Sequence, residues 1–290
     1  PYPQRDVHLK PGAPLAALID LSFLACLGGV VAREVIAAQN RRNWKIPTVV
    51  GILLVGNAAS HSEVIFATEP GLAHRIGIAA TLVLIMLIGG RIVPSFTRNW
   101  LVRQGPGRLP ISFGRFDAAG MITSIAALAS WIALPDHHAT ALLALVAGIL
   151  NVARLARWAG ERTLAEPLVA VLHVAYAFVP LGFLLLALSI WRPDIIIPSG
   201  ALHSWTAGAI GLMIMAVMTR ASLGHTGQPL TATRGITAIY IATFVAAVAR
   251  IVAAFDVGRE PMLHLSATAW VLAFAGFAAI YAPLLTRPRR

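Results

Sequence analysis

The stretch AEPLVAVLHVAYAFVPLGFLLLALSI (165–190) decides the fold class. After Glu166 it carries no charged residue, and its polar groups are confined to His173, Tyr176 and Ser189. About 20 such residues wound as a helix cross a hydrocarbon core. A helix this apolar on every side needs either complete enclosure by protein or lipid around it. Working outward, five comparable runs precede it, at 13–38, 46–67, 71–94, 117–134 and 138–158, and three follow, at 196–220, 232–254 and 262–285. The chain is 58% hydrophobic and only 12% charged, with a mean hydropathy of +0.76. Soluble domains are about 25% charged, so too few polar groups exist to face water. The sequence predicts an all-α polytopic bundle of nine spans, forming a single integral membrane domain over 1–290. Short gaps make neighbouring spans antiparallel. The one long gap, 95–116, is too short for a separate domain.

The net charge of +11 and pI near 11.3 would raise nucleic-acid binding for a soluble chain. The basic residues fall instead in the gaps between apolar runs, so a bilayer accounts for them and no nucleic-acid partner is expected. Arg41, Arg42 and Lys45 follow the first span; Arg91, Arg98, Arg103, Arg108 and Arg115 surround the gap after the third. Arg154, Arg157 and Arg162 follow the fifth, Arg220 and Arg234 flank the gap after the seventh, and Arg287, Arg289 and Arg290 follow the ninth. The alternate gaps hold only Arg192 and Arg259. The positive-inside rule then places the start of this sequence outside and its end in the cytoplasm. These arginines read as topology anchors. Trp44, Trp100, Trp131, Trp158 and Trp191 at span ends read as an aromatic belt. The single cysteine, Cys26, excludes a disulfide framework and a CxxC metal motif. The opening Pro-Tyr-Pro-Gln-Arg, without Met or signal peptide, reads as a fragment or a processed chain.

Ionisable groups inside a membrane cost roughly 2.5–3.5 kcal/mol each at a helix centre and mark sites, cavities or partners. In the predicted orientation His61 and Glu63 lie at the outer end of the second span, and His74 and Arg75 at the outer start of the third. His203 lies in the outer part of the seventh, Arg250 near the outer end of the eighth, His264 at the start of the ninth, and Asp20 in the outer half of the first. His173 lies about 12 Å in from the inner end of the sixth by helical rise. Four histidines on four helices are thus expected in the outer half, and imidazole is the commonest metal and haem ligand. His8, His137 and His138 read as solvated. The pairs His74/Arg91 and His203/Arg220 share one spacing and one direction, which predicts a four-helix internal repeat. Gly56/Ser60, Gly89/Gly90 and Ala207/Gly211 are expected at close helix contacts.

Three stretches, GGRIVPSFTRNWL (89–101), LHVAYAFVPLGF (172–183) and LHSWTAGAIGLMIMAVMTRASLGHTGQPL (202–230), together resemble the NnrS family of bacterial inner-membrane proteins associated with the response to nitric oxide. The resemblance implies a bundle of about twelve spans, so three N-terminal spans, with the family's His-Ala-His-Glu-type motif, are expected to be absent from this sequence. It also implies haem and copper as cofactors and relief of nitrosative stress as the setting. Renumbered this way, the histidine helices fall at the sixth and tenth positions, which is similar to the catalytic subunit of haem–copper oxidases. The likeness fails at the fourth span, which lacks a histidine pair.

The resulting expectation is a haem-binding, and by resemblance copper-containing, protein that handles nitric oxide. His203, His74, His61, His173 and His264 are the ligand candidates, with His74 and His203 the candidates for metal. Arg75 and Arg250 suit haem propionates, because arginine binds carboxylates with a two-pronged fork. No catalytic motif, P-loop or Rossmann fingerprint is present. The contrasting reading is a secondary transporter without a redox cofactor, working through Asp20, Glu63 and Arg250 and interrupted at Pro180. A third is an assembly or sensing partner of a respiratory or denitrification complex, docking through MTRASLGHTG (218–227); a glycine-terminated helix end is the plainer reading of that segment.

Overall fold

The computed structural model describes residues 13–39, 43–66 and 71–286. Among them are nine helices long and apolar enough to cross a membrane. We label them α1 (Ala13–Ala37), α2 (Lys45–Ile65), α3 (Leu72–Leu101), α4 (Arg115–Ala133), α5 (His138–Ala156), α6 (Pro167–Trp191), α7 (Ser199–His225), α8 (Arg234–Val252) and α9 (Arg259–Thr286). The described chain has no strand, as expected where lipid cannot satisfy backbone hydrogen bonds and a helix satisfies its own. Arg41, Arg42, Arg287, Arg289, Arg290, His8 and the predicted end of the second span at 67 lie outside the described residues.

Two predicted boundaries move. The third span continues past 94 to Leu101 with Pro94 inside it, so the long inner gap shrinks. The helix is not straight α: Ile85–Gly89 is a π-helical turn just before Pro94, the kind of local adjustment that lets membrane helices carry proline. The seventh span reaches His225, which ends the helix rather than lying in a loop. Gly227 follows at φ +69°, and the Gln228 amide donates to the Leu223 carbonyl (2.9 Å). This is the left-handed glycine stop that the sequence suggested. α7 also holds a nine-residue π segment, Ser204–Leu212. By contrast α6 runs unbroken through Pro180.

The chain forms two compact units, 1–84 and 85–290. In the first, α2 packs on α1 and on the α-helical part of α3. Gly56 is buried with a Cβ-equivalent position only 3.0 Å from Ile76 and 3.3 Å from the Gly77 nitrogen, so the expected small-residue contact is present. α1 contributes little to the interior: 6% of its apolar window is buried, against 72% for α6.

In the second unit α6 is the central post. Glycines let its neighbours close on it. A Cβ at Gly182 would overlap the Trp205 ring and one at Gly208 the Phe178 ring. Ser204 donates to the Phe178 carbonyl (2.9 Å) and Trp205 Nε1 to the Val179 carbonyl (3.1 Å). Both bonds land in the turn that Pro180 loosens. Trp131 and Trp158, expected in an interfacial belt, are 5% and 2% exposed and belong to this core. Trp131 packs edge-on to Trp205, and Trp158 edge-on to Tyr176.

Candidate functional site

The first unit holds His61, His74, Arg75, Asp20 and Glu63. Glu63 is half-buried and caps the start of α3, accepting from the amides of Ala73 (2.8 Å) and Gly71 (3.4 Å). Its carboxylate meets the positive end of the helix dipole, a structural use of charge. Asp20 Oδ2 accepts from Asn57 Nδ2 (2.8 Å) and meets His61 Nε2 (3.0 Å). His61 therefore has a carboxylate partner on its neighbouring helix. His74 is exposed, and the guanidinium of Arg75 folds back over Gly71, 3.3 Å from its Cβ-equivalent position.

The second unit separates the remaining candidates. His264 is 80% exposed, with Glu260 at 3.9 Å one turn earlier. His173 is 7% exposed, and its Nε2 lies 2.7 Å from the Thr97 hydroxyl. That hydroxyl also donates to the Val93 carbonyl (2.8 Å). Nδ1 is buried without a partner and faces Gly160, where a Cβ would come within 2.6 Å. Neither nitrogen of His173 opens on free space.

His203 has a different setting. It is half-buried at one end of a cleft of about 400 Å³ walled by α7, α8 and α9, within the roughly 300–1,000 Å³ usual for small-molecule sites. Arg250 shares that end and is the charged neighbour of His203. Thr206 and Ser266 are also there, but their hydroxyls are used by the Leu202 and Ala246 carbonyls. Further along, the walls are Ile210, Ile214, Trp270 and Phe274. The π segment begins directly after His203, and π turns recur at functional sites. In α3 the π turn begins only at Ile85, far from His74, so the two histidine helices do not repeat each other in detail.

A second constellation was not foreseen. Arg154, read as a topology anchor, is 1% exposed. Its Nε lies 3.3 Å from Asp117 Oδ1, a pairing by distance that lacks hydrogen-bond alignment. Its Nη1 donates to the Tyr176 hydroxyl (2.9 Å), which donates to Asn151 Oδ1 (3.1 Å); Asn151 Nδ2 donates to Ser124 Oγ (2.8 Å). Asp117 also accepts from the Gly114 amide (3.0 Å) and has Arg157 at 3.5 Å. The correction has a physical reason: a guanidinium that finds a carboxylate at the start of the adjacent helix is satisfied inside the bundle and has no need of headgroups. Arg220 is likewise half-buried, 4.0 Å above the Phe96 ring. The available sequence signal was Asp117, an acid at the first residue of the predicted fourth span, directly after a strongly basic gap.

The loop 102–114 is clamped to the turn after α5. Arg108 grips Glu161 with Nε (3.1 Å to Oε1) and Nη2 (2.7 Å to each oxygen), and Arg162 donates to the carbonyls of Arg108 (2.6 Å) and Pro106 (3.2 Å). The Arg108 contact holds the Glu161 carboxyl below its ordinary range.

Nine apolar helices, a core of aromatic and glycine contacts and buried charge near span ends define a polytopic α-helical membrane protein. Among the described residues no three His, Cys, Asp or Glu side chains gather as a metal-ion site. The sequence model of the NnrS protein family matches residues 5–289, and the chain belongs to that family. No curated protein matches, and no solved structure does.

Proposed function

We propose that this NnrS-family chain acts in the bacterial inner membrane in the response to nitric oxide, holding haem in the cleft between α7, α8 and α9. The carrying observation is the meeting, at one end of one cleft, of a half-buried imidazole and an intramembrane guanidinium without a carboxylate partner among the described residues. The cleft suits the group. His203 would hold the group through an imidazole nitrogen, Arg250 would take a carboxylate in its fork, and Trp270, Phe274, Ile210 and Ile214 would wall it. Haem so held would supply the capacity to bind a diatomic gas. The chain's own work is to fix that imidazole through the helix on which it stands, to neutralise a carboxylate, and to keep water from the apolar end.

His74 is the second ligand candidate, exposed at the start of α3 and free to meet a group that approaches the first unit. His61, with Asp20 behind it, has the carboxylate–histidine pairing that orients metal ligands, and it is the residue to test if copper is present. Respiratory or denitrification partners would supply electrons. The orientation goes with this reading: the start of the sequence is periplasmic and its end cytoplasmic. Haem and copper, quantified per chain in the purified protein, test it. One haem per chain lost in His203→Ala is the expected result; a chain without haem after haem-replete expression would refute it.

A second reading, a transporter, draws support from the π-helical breaks within α3 and α7, since interrupted spans form transport sites. Of its proposed carriers, Glu63 is committed to capping α3. Substrate uptake into vesicles that survives loss of every histidine would favour this reading.

A further inference from the structure

We infer that the His203–Arg250 cleft is also a binding site for an anionic phospholipid of the leaflet in which Arg250 lies. The inference uses the cleft described above and concerns the chain without haem, since both occupants need Arg250 and the same apolar walls. Three features of the cleft carry it.

Arg250 lies two residues from the end of α8, inside a span. Among the described residues its guanidinium has no hydrogen bond and no ion pair; the titratable group beside it is the His203 imidazole, which cannot neutralise it. A guanidinium at that depth needs an anion or exposure to headgroups. It also presents two parallel N–H donors, the fork that fits a phosphate.

The cleft is polar at one end only. α7 and α9 run in the same direction away from that end. Along α7 the lining passes from His203 to Ile210 and Ile214, and along α9 from Ser266 to Trp270 and Phe274. From His203 to Ile214 this is roughly 16 Å by helical rise. A charged head beside Arg250 and an acyl chain laid along Ile214, Trp270 and Phe274 match this gradient in sign and direction.

The cleft is also an open groove at the surface of its unit. Ile214 is 45% exposed, and Trp270 and Phe274 are partly exposed. Its width is set by Gly211, where a Cβ would come within 2.7 Å of the Trp270 ring. The outer edge of the Trp270 ring therefore reaches α7 at Gly211, and the groove beside it stays open. A molecule diffusing in the bilayer enters such a groove sideways, without crossing water.

Native mass spectrometry of the full chain in non-ionic detergent tests this. Delipidated protein is offered phosphatidylglycerol or phosphatidylcholine, and only molecules free of haem mass are scored. The expected result is one retained phosphatidylglycerol per chain, with phosphatidylcholine retained much less. Arg250→Gln should weaken retention on the order of tenfold or more, as loss of a charge-assisted contact does. Arg250→Lys should keep most of it, and Arg259→Gln, outside the cleft, all of it. Should Arg250→Gln fail to fold, Ile214→Trp fills the exposed apolar end and should also expel the lipid. Equal retention of the two lipids, unchanged retention in Arg250→Gln or Ile214→Trp, or a lipid-free dimer covering the groove would each overturn the inference. Haem content read in the same spectra keeps this result separate from the haem reading.

Discussion

The guanidinium of Arg154 occupies the space that a side chain at Gly90 would need. A Cβ built there would overlap Nη2 and reach within 3.0 Å of Cζ. The neighbouring glycine differs: at Gly89 the nearest atoms, on Tyr176 and Met213, are 3.7 Å and 3.8 Å away, an ordinary contact.

Gly90→Ala should therefore destabilise the protein by about 3 kcal/mol, since it overpacks a filled site and dislodges a buried charge from its partner. Gly89→Ala should change stability by less than about 1 kcal/mol, because the helix gain of alanine offsets minor crowding. Thermal unfolding of both variants in the same detergent checks the contrast.

The Asp117–Arg154 pair should behave as a unit. Either Asp117→Leu or Arg154→Met alone should cost about 3–5 kcal/mol, because each strands a buried charged partner. The double replacement Asp117→Leu with Arg154→Met should cost clearly less than the sum of the two. A double-mutant cycle measures the coupling; additive effects would show that the pair does not interact.

The clamp between Arg108 and Glu161 gives a pH dependence of known sign. The folded-state carboxyl of Glu161 titrates below its ordinary value of 4.5 because Arg108 hydrogen-bonds it. Its stabilisation is present in full above that ordinary value and is lost as pH falls through the lower, folded value. Asp194, held low by the two-pronged contact of Arg192, is shifted in the same direction. The informative quantity is thus the melting temperature of the parent minus that of Glu161→Gln. It should be positive at pH 6 and shrink toward zero as the pH is lowered past 4. Both partners are about half exposed, so the effect is small and weakens with salt.

His173 and His203 should separate cleanly. His173→Ala removes a buried hydrogen bond to Thr97 and should lower the melting temperature while leaving any haem absorption in place. His203→Ala, at a half-buried position in an open cleft, should do the reverse.

The nine spans were legible because apolar length is a local property, visible in runs such as 165–190. The continuation of the third helix through Pro94 was not, since a proline rule sees the lost N–H and misses the π turn at Ile85–Gly89 that accommodates it. His203 and Arg250 were both singled out as intramembrane polar residues, but that they line one cleft depends on how α7 packs against α8 and α9. Arg154 misled for a related reason. At a span end, a charge that anchors to headgroups and one that pairs inward look alike, and the partner that decides, Asp117, lies on another helix. The engagement of His173 Nε2 with Thr97, far away in sequence, is equally non-local.

The central claim rests on the His203 imidazole beside Arg250, and a visible spectrum tests it most directly. The full chain, expressed with haem in excess and purified in detergent, is recorded oxidised, reduced, and reduced with nitric oxide, beside His203→Ala. The account predicts a Soret band that shifts with nitric oxide and is lost in His203→Ala but not in His173→Ala. A protein without a Soret band, or one whose band and shift survive His203→Ala unchanged, would contradict it.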